Sequence, residues 1–327
     1  MKRQIIVLFP LILSALFHIL CQNLYAQNEN SNSALPFDHN TTKPVSNSNN
    51  EFNAVTNSSH KLIVVSSFFP IGEFVKKIGR ERIESSLLVP KGIEPHDFEP
   101  TINQIQTANT ADVLVYNDLG IDNWIAKINT ANRINASQGI NATYIDKRNM
   151  TLDPHVWLDP ILAKKEVENI RDGLIIIDPI NKEFYINNSK IFLNDLDNLD
   201  KSIRTELESC KKRDFIPFHN SFSYFANEYG LKQHSISGMG PEAEVTSLRL
   251  AEAINVAKRL DIHVIYSEEL MDPRYASVIA GEIPNSKVLT LSPIEGLTKS
   301  EQVAGISYID KMRQNLKNLM VGLDCNQ

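Results

Sequence analysis

Cysteine is scarce in this 327-residue chain: only Cys21, Cys210 and Cys325 occur. None belongs to a Cys-x-x-Cys pair, which excludes a thiolate zinc site and a disulfide-built scaffold. Cys210 and Cys325 either pair in an oxidising compartment or remain two idle thiols. Basic charge is not in excess; the net charge of −6 gives no electrostatic footprint for a nucleic-acid partner. Apolar runs long enough to span a bilayer are missing after Leu20, which excludes a permease. A Gly-x-x-x-x-Gly-Lys-Ser/Thr loop is missing too, which excludes a P-loop ATPase.

What is present at the N-terminus is an export signal. Lys2 and Arg3 precede an apolar run from Ile5 to Leu20, and Leu24-Tyr25-Ala26 follows. That order predicts a secretory signal over residues 1–26, either cleaved after Ala26 or kept as an anchor. Leu20 stands where lipoprotein processing needs a small residue before Cys21, which argues against lipidation. Residues 27–60 are rich in Asn and Ser without hydrophobic period, so they predict a disordered tether whose ends lie roughly 30 Å apart. Sequons such as Asn40-Thr41-Thr42 and Asn141-Ala142-Thr143 suit an exported chain.

From Lys61 onward the chain is long enough for two domains, and short β-branched runs alternate with helical patterns. Predicted strands are Leu62–Ser67, Ile83–Val89, Val113–Tyr116 and Ala142–Ile145 in one half. In the other they are Phe215–Phe218, Gln233–Ser237, Ile262–Tyr266 and Val288–Leu291. Alternation of this kind predicts an α/β fold with two lobes, each a mostly parallel four-stranded sheet with surrounding helices. Between them Phe192, Leu196, Leu199, Ile203 and Leu207 repeat at helical spacing with no Pro or Gly from Asn181 to Lys212. Such a helix would run roughly 45 Å, a rigid connector. The expected organisation is a first lobe over 61–177, the connecting helix over 178–210 and a second lobe over 211–327.

Eight histidines are present. His18, His39 and His60 lie in the signal or tail, and His234 and His263 lie in apolar strands where a structural role is expected. His96, His155 and His219 remain, each where a strand or loop hands over to a helix, the edge at which open α/β sheets bind ligands. Three neutral imidazoles suit zinc and leave a coordination position open. Pro95 and Pro154 stiffen the backbone before two of them. Phe98 and Trp157 offer apolar walls, while Asp97, Asp153 and Asp159 offer acceptors to orient the rings.

The segments Ser67-Phe68-Phe69-Pro70, Glu94-Pro95-His96-Asp97-Phe98-Glu99-Pro100-Thr101, Asp153-Pro154-His155-Val156-Trp157-Leu158-Asp159-Pro160 and Phe218-His219-Asn220-Ser221-Phe222-Ser223-Tyr224-Phe225 carry a family resemblance, as does the closing Tyr308–Leu316 stretch. From Lys61 to Leu323 the chain resembles the zinc- or manganese-binding solute-binding proteins of ABC importers, cluster A-I. The resemblance implies two lobes joined by one rigid helix, with a metal in the cleft. It implies His96 and His155 as ligands from the first lobe and His219 from the second, where His rather than Glu favours zinc over manganese. The family often has an Asp ligand after its last strand. Here Ser292 stands there, which leaves water, Glu268 or Glu295 for the fourth position.

The function implied is capture rather than catalysis: an extracytoplasmic monomer, tethered near the membrane, binds a divalent ion and delivers it to a permease with its ATPase. Two alternatives differ in class. One is a secreted three-histidine zinc hydrolase or hydratase, although no general base stands out beside the histidines. The other is a metal-binding surface adhesin.

Overall fold

The computed structural model describes residues 61–146, 150–240 and 245–326. The expected signal, tether and His18, His39 and His60 lie outside them. Among the described residues no helix is long and apolar enough to cross a membrane.

The first half builds a four-stranded parallel sheet from β1 (Leu62–Ser66), β2 (Ile83–Leu87), β3 (Val113–Tyr116) and β4 (Asn132–Asn135), in the order β2-β1-β3-β4. β1 is central, with Val65 opposite both Ser86 and Leu114, and its Val64 and Val65 are buried as a two-sided parallel strand requires. Helix α1 (Phe69–Gly79) starts with Pro70 in its first turn and buries Phe69, Ile71, Phe74, Val75 and Ile78. Helix α2 (Ile102–Asn109) starts at a reciprocal capping box in which Thr101 and Gln104 satisfy each other's backbone N–H.

The fourth strand is not the predicted one. Tyr144–Asp146 (β5) pairs antiparallel with Thr151–Leu152 (β6) in a small separate hairpin. Asn132–Asn135 takes the sheet position instead, paired to β3. Only its Ile134 is buried, so an edge strand of Asn, Arg and Asn carries no hydrophobic run to announce it. Between β3 and β4 the chain makes a 3-10 turn over Asn123–Lys127.

Helix α3 (Pro160–Ile177) leads through a short turn into α4 (Lys182–Glu208), 27 residues and therefore roughly 40 Å long. The apolar stripe Phe192, Leu196, Leu199, Ile203 and Leu207 is buried as its spacing predicts. α4 packs on α1, α3 and α9 (Tyr308–Gly322), so the closing helix returns to the element that ends the first half. Phe74 of α1 meets Phe192 of α4 at 5.6 Å and Tyr308 of α9 at 5.0 Å between ring centroids. Cys210 at the end of α4 and Cys325 after α9 form a disulfide.

The second half adds β7 (Asp214–Phe215), α5 (Ser223–Glu228), β8 (Lys232–Gln233), α6 (Ser247–Arg259), β9 (Val264–Ser267), α7 (Arg274–Gly281), β10 (Lys287–Thr290) and α8 (Lys299–Ala304). Its strands form two parallel pairs, β7 with β8 and β9 with β10, rather than one continuous four-stranded sheet. A single parallel bridge between Ile216 and Ile265 joins the pairs. Pro217 directly after that bridge has no N–H to donate to a ladder, while the Phe218 carbonyl just ahead of His219 still accepts from Ile236 and Ser237 N–H. Ile216, Phe218, Ile236, Ile265 and Ile279 form a second apolar cluster beneath these strands.

Candidate metal centre

The three histidines arrive by different routes. His155 follows β6, and its turn is fixed from the first sheet by Asn117, whose Nδ2 donates to the Pro154 carbonyl at 2.9 Å. Behind it a 3-10 turn (Val156–Leu158) leads to Asp159, which caps α3 by accepting from Ile161 N–H at 2.8 Å. His219 follows β7 and the bridge residue Ile216. His96 lies in the loop after β2, where its N–H donates to Glu94 Oε1 at 3.1 Å.

Two of the imidazoles are oriented by the same device. Asp153 Oδ1 accepts both the backbone N–H of His155 (3.1 Å) and its Nδ1–H (2.7 Å). Glu268 Oε1, just beyond β9, does the same for His219, at 3.1 and 2.7 Å. A carboxylate only accepts, so Nδ1–H is the donor in both rings and each Nε2 is left facing away from its carboxylate. Those nitrogens converge. Nε2 of His155 is 3.1 Å from Nε2 of His96 and 3.2 Å from Nε2 of His219.

Glu295, in the loop between β10 and α8, completes the group. Its Oε1 is 3.2 Å from Nε2 of His96, 3.2 Å from Nε2 of His155 and 3.5 Å from Nε2 of His219. All four donor atoms lie within 4.8 Å of one another. A regular tetrahedron with edges like those has its centre roughly 2.0 Å from each corner, the length of a zinc bond to imidazole nitrogen or carboxylate oxygen. The four side chains are enclosed, at 5% exposure for His96, 0% for His155 and His219 and 1% for Glu295.

The charges are arranged around the same centre. Glu295 is held well below the usual carboxylate range: burial opposes its charge, and His219 and His96 outweigh burial. His219 is raised well above the ordinary histidine value because Glu268 and Glu295 outweigh burial in the same way. Burial lowers His96. Glu94, buried beside Glu295, is pushed up to about 10 by desolvation first and by that neighbour second. Lone pairs and a carboxylate facing one another in an enclosed space repel unless a cation or protons stand between them.

Of the residues weighed for the fourth position, the structure brings Glu295 to the centre. Glu268 instead orients His219. Ser292 is tied elsewhere: its N–H donates to Asn315 Oδ1 (2.8 Å), its carbonyl accepts from Asn315 Nδ2 (2.6 Å), and its hydroxyl bonds to Glu269. The turn that brings Glu295 in depends on Ile294 at φ +61°, a costly conformation for a β-branched residue. A left-handed isoleucine is not legible in a sequence, and Glu295 could not be singled out there. Asp153 orients a ring as expected, but Asp97 is exposed and Asp159 serves as a helix cap. Trp157 walls the site, its ring 5.2 Å from that of His155, whereas Phe98 packs on Trp124. His234 pairs with Asp214 and His263 with Asp261, away from the centre.

Several known proteins are similar to this chain. The high-affinity zinc uptake system protein ZnuA of Bacillus subtilis (strain 168) is 39% identical over 277 residues, which cover 79% of this chain and 86% of that protein. The crystal structure of Zn(II)-bound AdcA from Streptococcus pneumoniae is 34% identical with a TM-score of 0.72, covering 81% of this chain but 58% of that one. This chain thus spans little more than half the length of AdcA. The laminin-binding protein Lmb of Streptococcus agalactiae, described as having adhesin and metal transporting activity, is 29% identical with a TM-score of 0.75, covering 81% of this chain and 100% of that one. These solved structures share the α/β fold described above. The sequence profile described as "ZnuA: Zinc-uptake complex component A periplasmic" matches residues 64–322, and the chain belongs to that family of transport proteins.

Proposed function

We propose that this protein captures a zinc ion between its two lobes and delivers it to a membrane permease driven by an ATPase. His96 and His155 serve as ligands from the first lobe (61–177), and His219 and Glu295 from the second (211–327), with the helix of 178–210 between. The observation that carries the reading is the convergence of three imidazole Nε2 atoms and one carboxylate oxygen at tetrahedral zinc spacing. Three nitrogens and one oxygen suit zinc, whereas manganese prefers more oxygen donors and a higher coordination number. A zinc enzyme keeps one position open for water or substrate. Here four side chains account for a tetrahedral shell, which favours storage of the ion over chemistry on it. Residues 1–26 export the chain and 27–60 tether it near the membrane as a monomer.

The test is isothermal titration of the metal-free protein with zinc and with manganese, alongside His96→Ala, His155→Ala, His219→Ala and Glu295→Ala. One zinc per chain is expected, with weaker binding in every variant and weaker binding of manganese to the wild type. Unchanged zinc affinity in all four variants would sink the assignment.

A further inference from the structure

The enclosure of the four donors means that an ion enters or leaves only when something opens, and the fold shows where. Glu295 sits on a short bridge pinned at both ends to the first half of the chain. On one side the Pro293 carbonyl accepts Trp157 Nε1–H at 2.8 Å. Trp157 is fully buried, packs edge-on to Phe68 at 4.9 Å, and its own carbonyl accepts the Tyr308 hydroxyl at 2.5 Å. On the other side Leu297 N–H donates to the Lys91 carbonyl at 2.6 Å. Lys91 belongs to the loop that carries His96, and the next two residues, Gly92 and Ile93, are exposed. Gly296 and Leu297 are buried and Lys91 is half-buried, one residue before the exposed Gly92, so this second pin lies nearer the rim of the site than the first.

This outer pin has a steric requirement of its own. A Cβ built on Gly296 would lie 2.2 Å from the Lys91 carbonyl oxygen and 3.0 Å from Leu270 Cδ1. The nearer atom is backbone and cannot swing aside as a side-chain tip can. Only a glycine lets the two loops approach closely enough for the Leu297–Lys91 bond. Gln302 Nε2 braces the same spot from α8 by donating to the Leu297 carbonyl at 2.9 Å.

We propose that the contact of Lys91 with Gly296 and Leu297 is the gate of the metal site. Gly296 is a positioning residue that lets Glu295 seat between the histidines, and opening of this contact about the Trp157–Pro293 pin lets the ion pass. The proposal rests on the zinc-capture reading above. No bond to the histidines changes when the gate opens; Glu295 alone withdraws, and the ion is left on three imidazoles.

The experiment measures chelator-triggered zinc release by stopped flow from the full chain, wild type against Gly296→Ala, Glu295→Ala, the double variant and Gln302→Ala. Gly281→Ala, where an added Cβ meets open space, is the control. Gly296→Ala is expected to release zinc roughly 10- to 100-fold faster, the range for loss of a group that orients a ligand. Its metal-free melting temperature is expected to fall by only about 2–4 °C, the shift for loss of one hydrogen bond. The double variant is expected to release no faster than Glu295→Ala, because a carboxylate that is already unseated has nothing further to lose. Gln302→Ala gives the same direction with a smaller factor and without any clash, so it decides the matter if Gly296→Ala does not fold. Wild-type release from Gly296→Ala and Gln302→Ala overturns the gate, as do factors that multiply in the double variant. A wild-type protein that binds no zinc overturns both the gate and the zinc-capture reading, whereas binding with unaltered release overturns the gate alone.

Discussion

Glu268→Gln tests how much of the site's affinity lies outside its four donors. The substitution keeps size and leaves an amide oxygen able to accept from both His219 N–H and Nδ1–H, now at 3.1 and 2.7 Å from Glu268 Oε1. What it removes is a buried negative charge that strengthens the His219 nitrogen as a donor. Loss of such an orienting carboxylate weakens metal binding by roughly 10- to 100-fold, about 1.4–2.7 kcal/mol. The pH dependence has a definite sign. His219 is raised well above the ordinary histidine value, with burial opposing and Glu268 and Glu295 prevailing. Protons therefore compete with zinc for its Nε2 in the wild type from acid pH upward. Removing Glu268 lowers that pKa, so competition in the variant ends at lower pH. The affinity deficit is expected to be largest near pH 8 and to narrow as the pH falls toward 5. Competition titrations against a chromophoric chelator at several pH values read both quantities. Affinity within twofold of wild type at pH 8, or a deficit that widens on acidification, would refute the reasoning.

Asp153→Asn, which meets His155 in the same two-point fashion, is expected to weaken zinc binding by a similar factor in the same titration. Replacing Cys210 and Cys325 together by Ser opens a loop whose ends are 115 residues apart. In the chain-entropy account this lowers unfolding stability by up to about 5 kcal/mol, read by urea melts, while zinc affinity stays within twofold. Glu166, fully buried on α3 with neither carboxyl oxygen hydrogen-bonded among the described residues, is raised well above the ordinary value by burial. A carboxyl kept neutral in the fold costs nothing at a pH below its unfolded pKa and increasingly more as pH rises above it. Glu166→Met is thus expected to stabilise the metal-free protein by roughly 1–3 kcal/mol at pH 8, and by less at pH 5; equal gains at both pH values would contradict the assignment.

Elements that bury a continuous stripe were legible in the sequence. β1 and β3 are unbroken β-branched runs, and α4 shows its face at Phe192, Leu196, Leu199, Ile203 and Leu207. β4 was not legible because three of its four residues are polar and its place comes from backbone pairing to β3. The chain's own residues flagged His96, His155 and His219 through their proline and aromatic framing, and the structure brings the three together. Glu295 was one of two acids, with Glu268, that the sequence offered for the fourth position. Choosing it requires the bend at Ile294, and choosing Glu268 as the partner of His219 requires a contact across 49 residues. Neither leaves a local pattern.

The division of the donors between the halves ties metal occupancy to their apposition. Behind the site the halves are joined independently of any ion: Tyr224 donates to the Asp153 carbonyl at 2.9 Å and accepts from Thr143 N–H at 3.0 Å, Tyr308 reaches Trp157, and α4 packs on helices of both halves. These bonds favour a small movement at the front of the site over a wide hinge. At free zinc a hundredfold above Kd, the closed arrangement gains about 2.7 kcal/mol from binding. The Leu297–Lys91 hydrogen bond contributes only about 1 kcal/mol. A contact of that size cannot by itself hold the site shut, yet its loss changes the closed population several-fold. Retention then belongs chiefly to the ion and its ligands, and the ease of opening to the Gly296 contact.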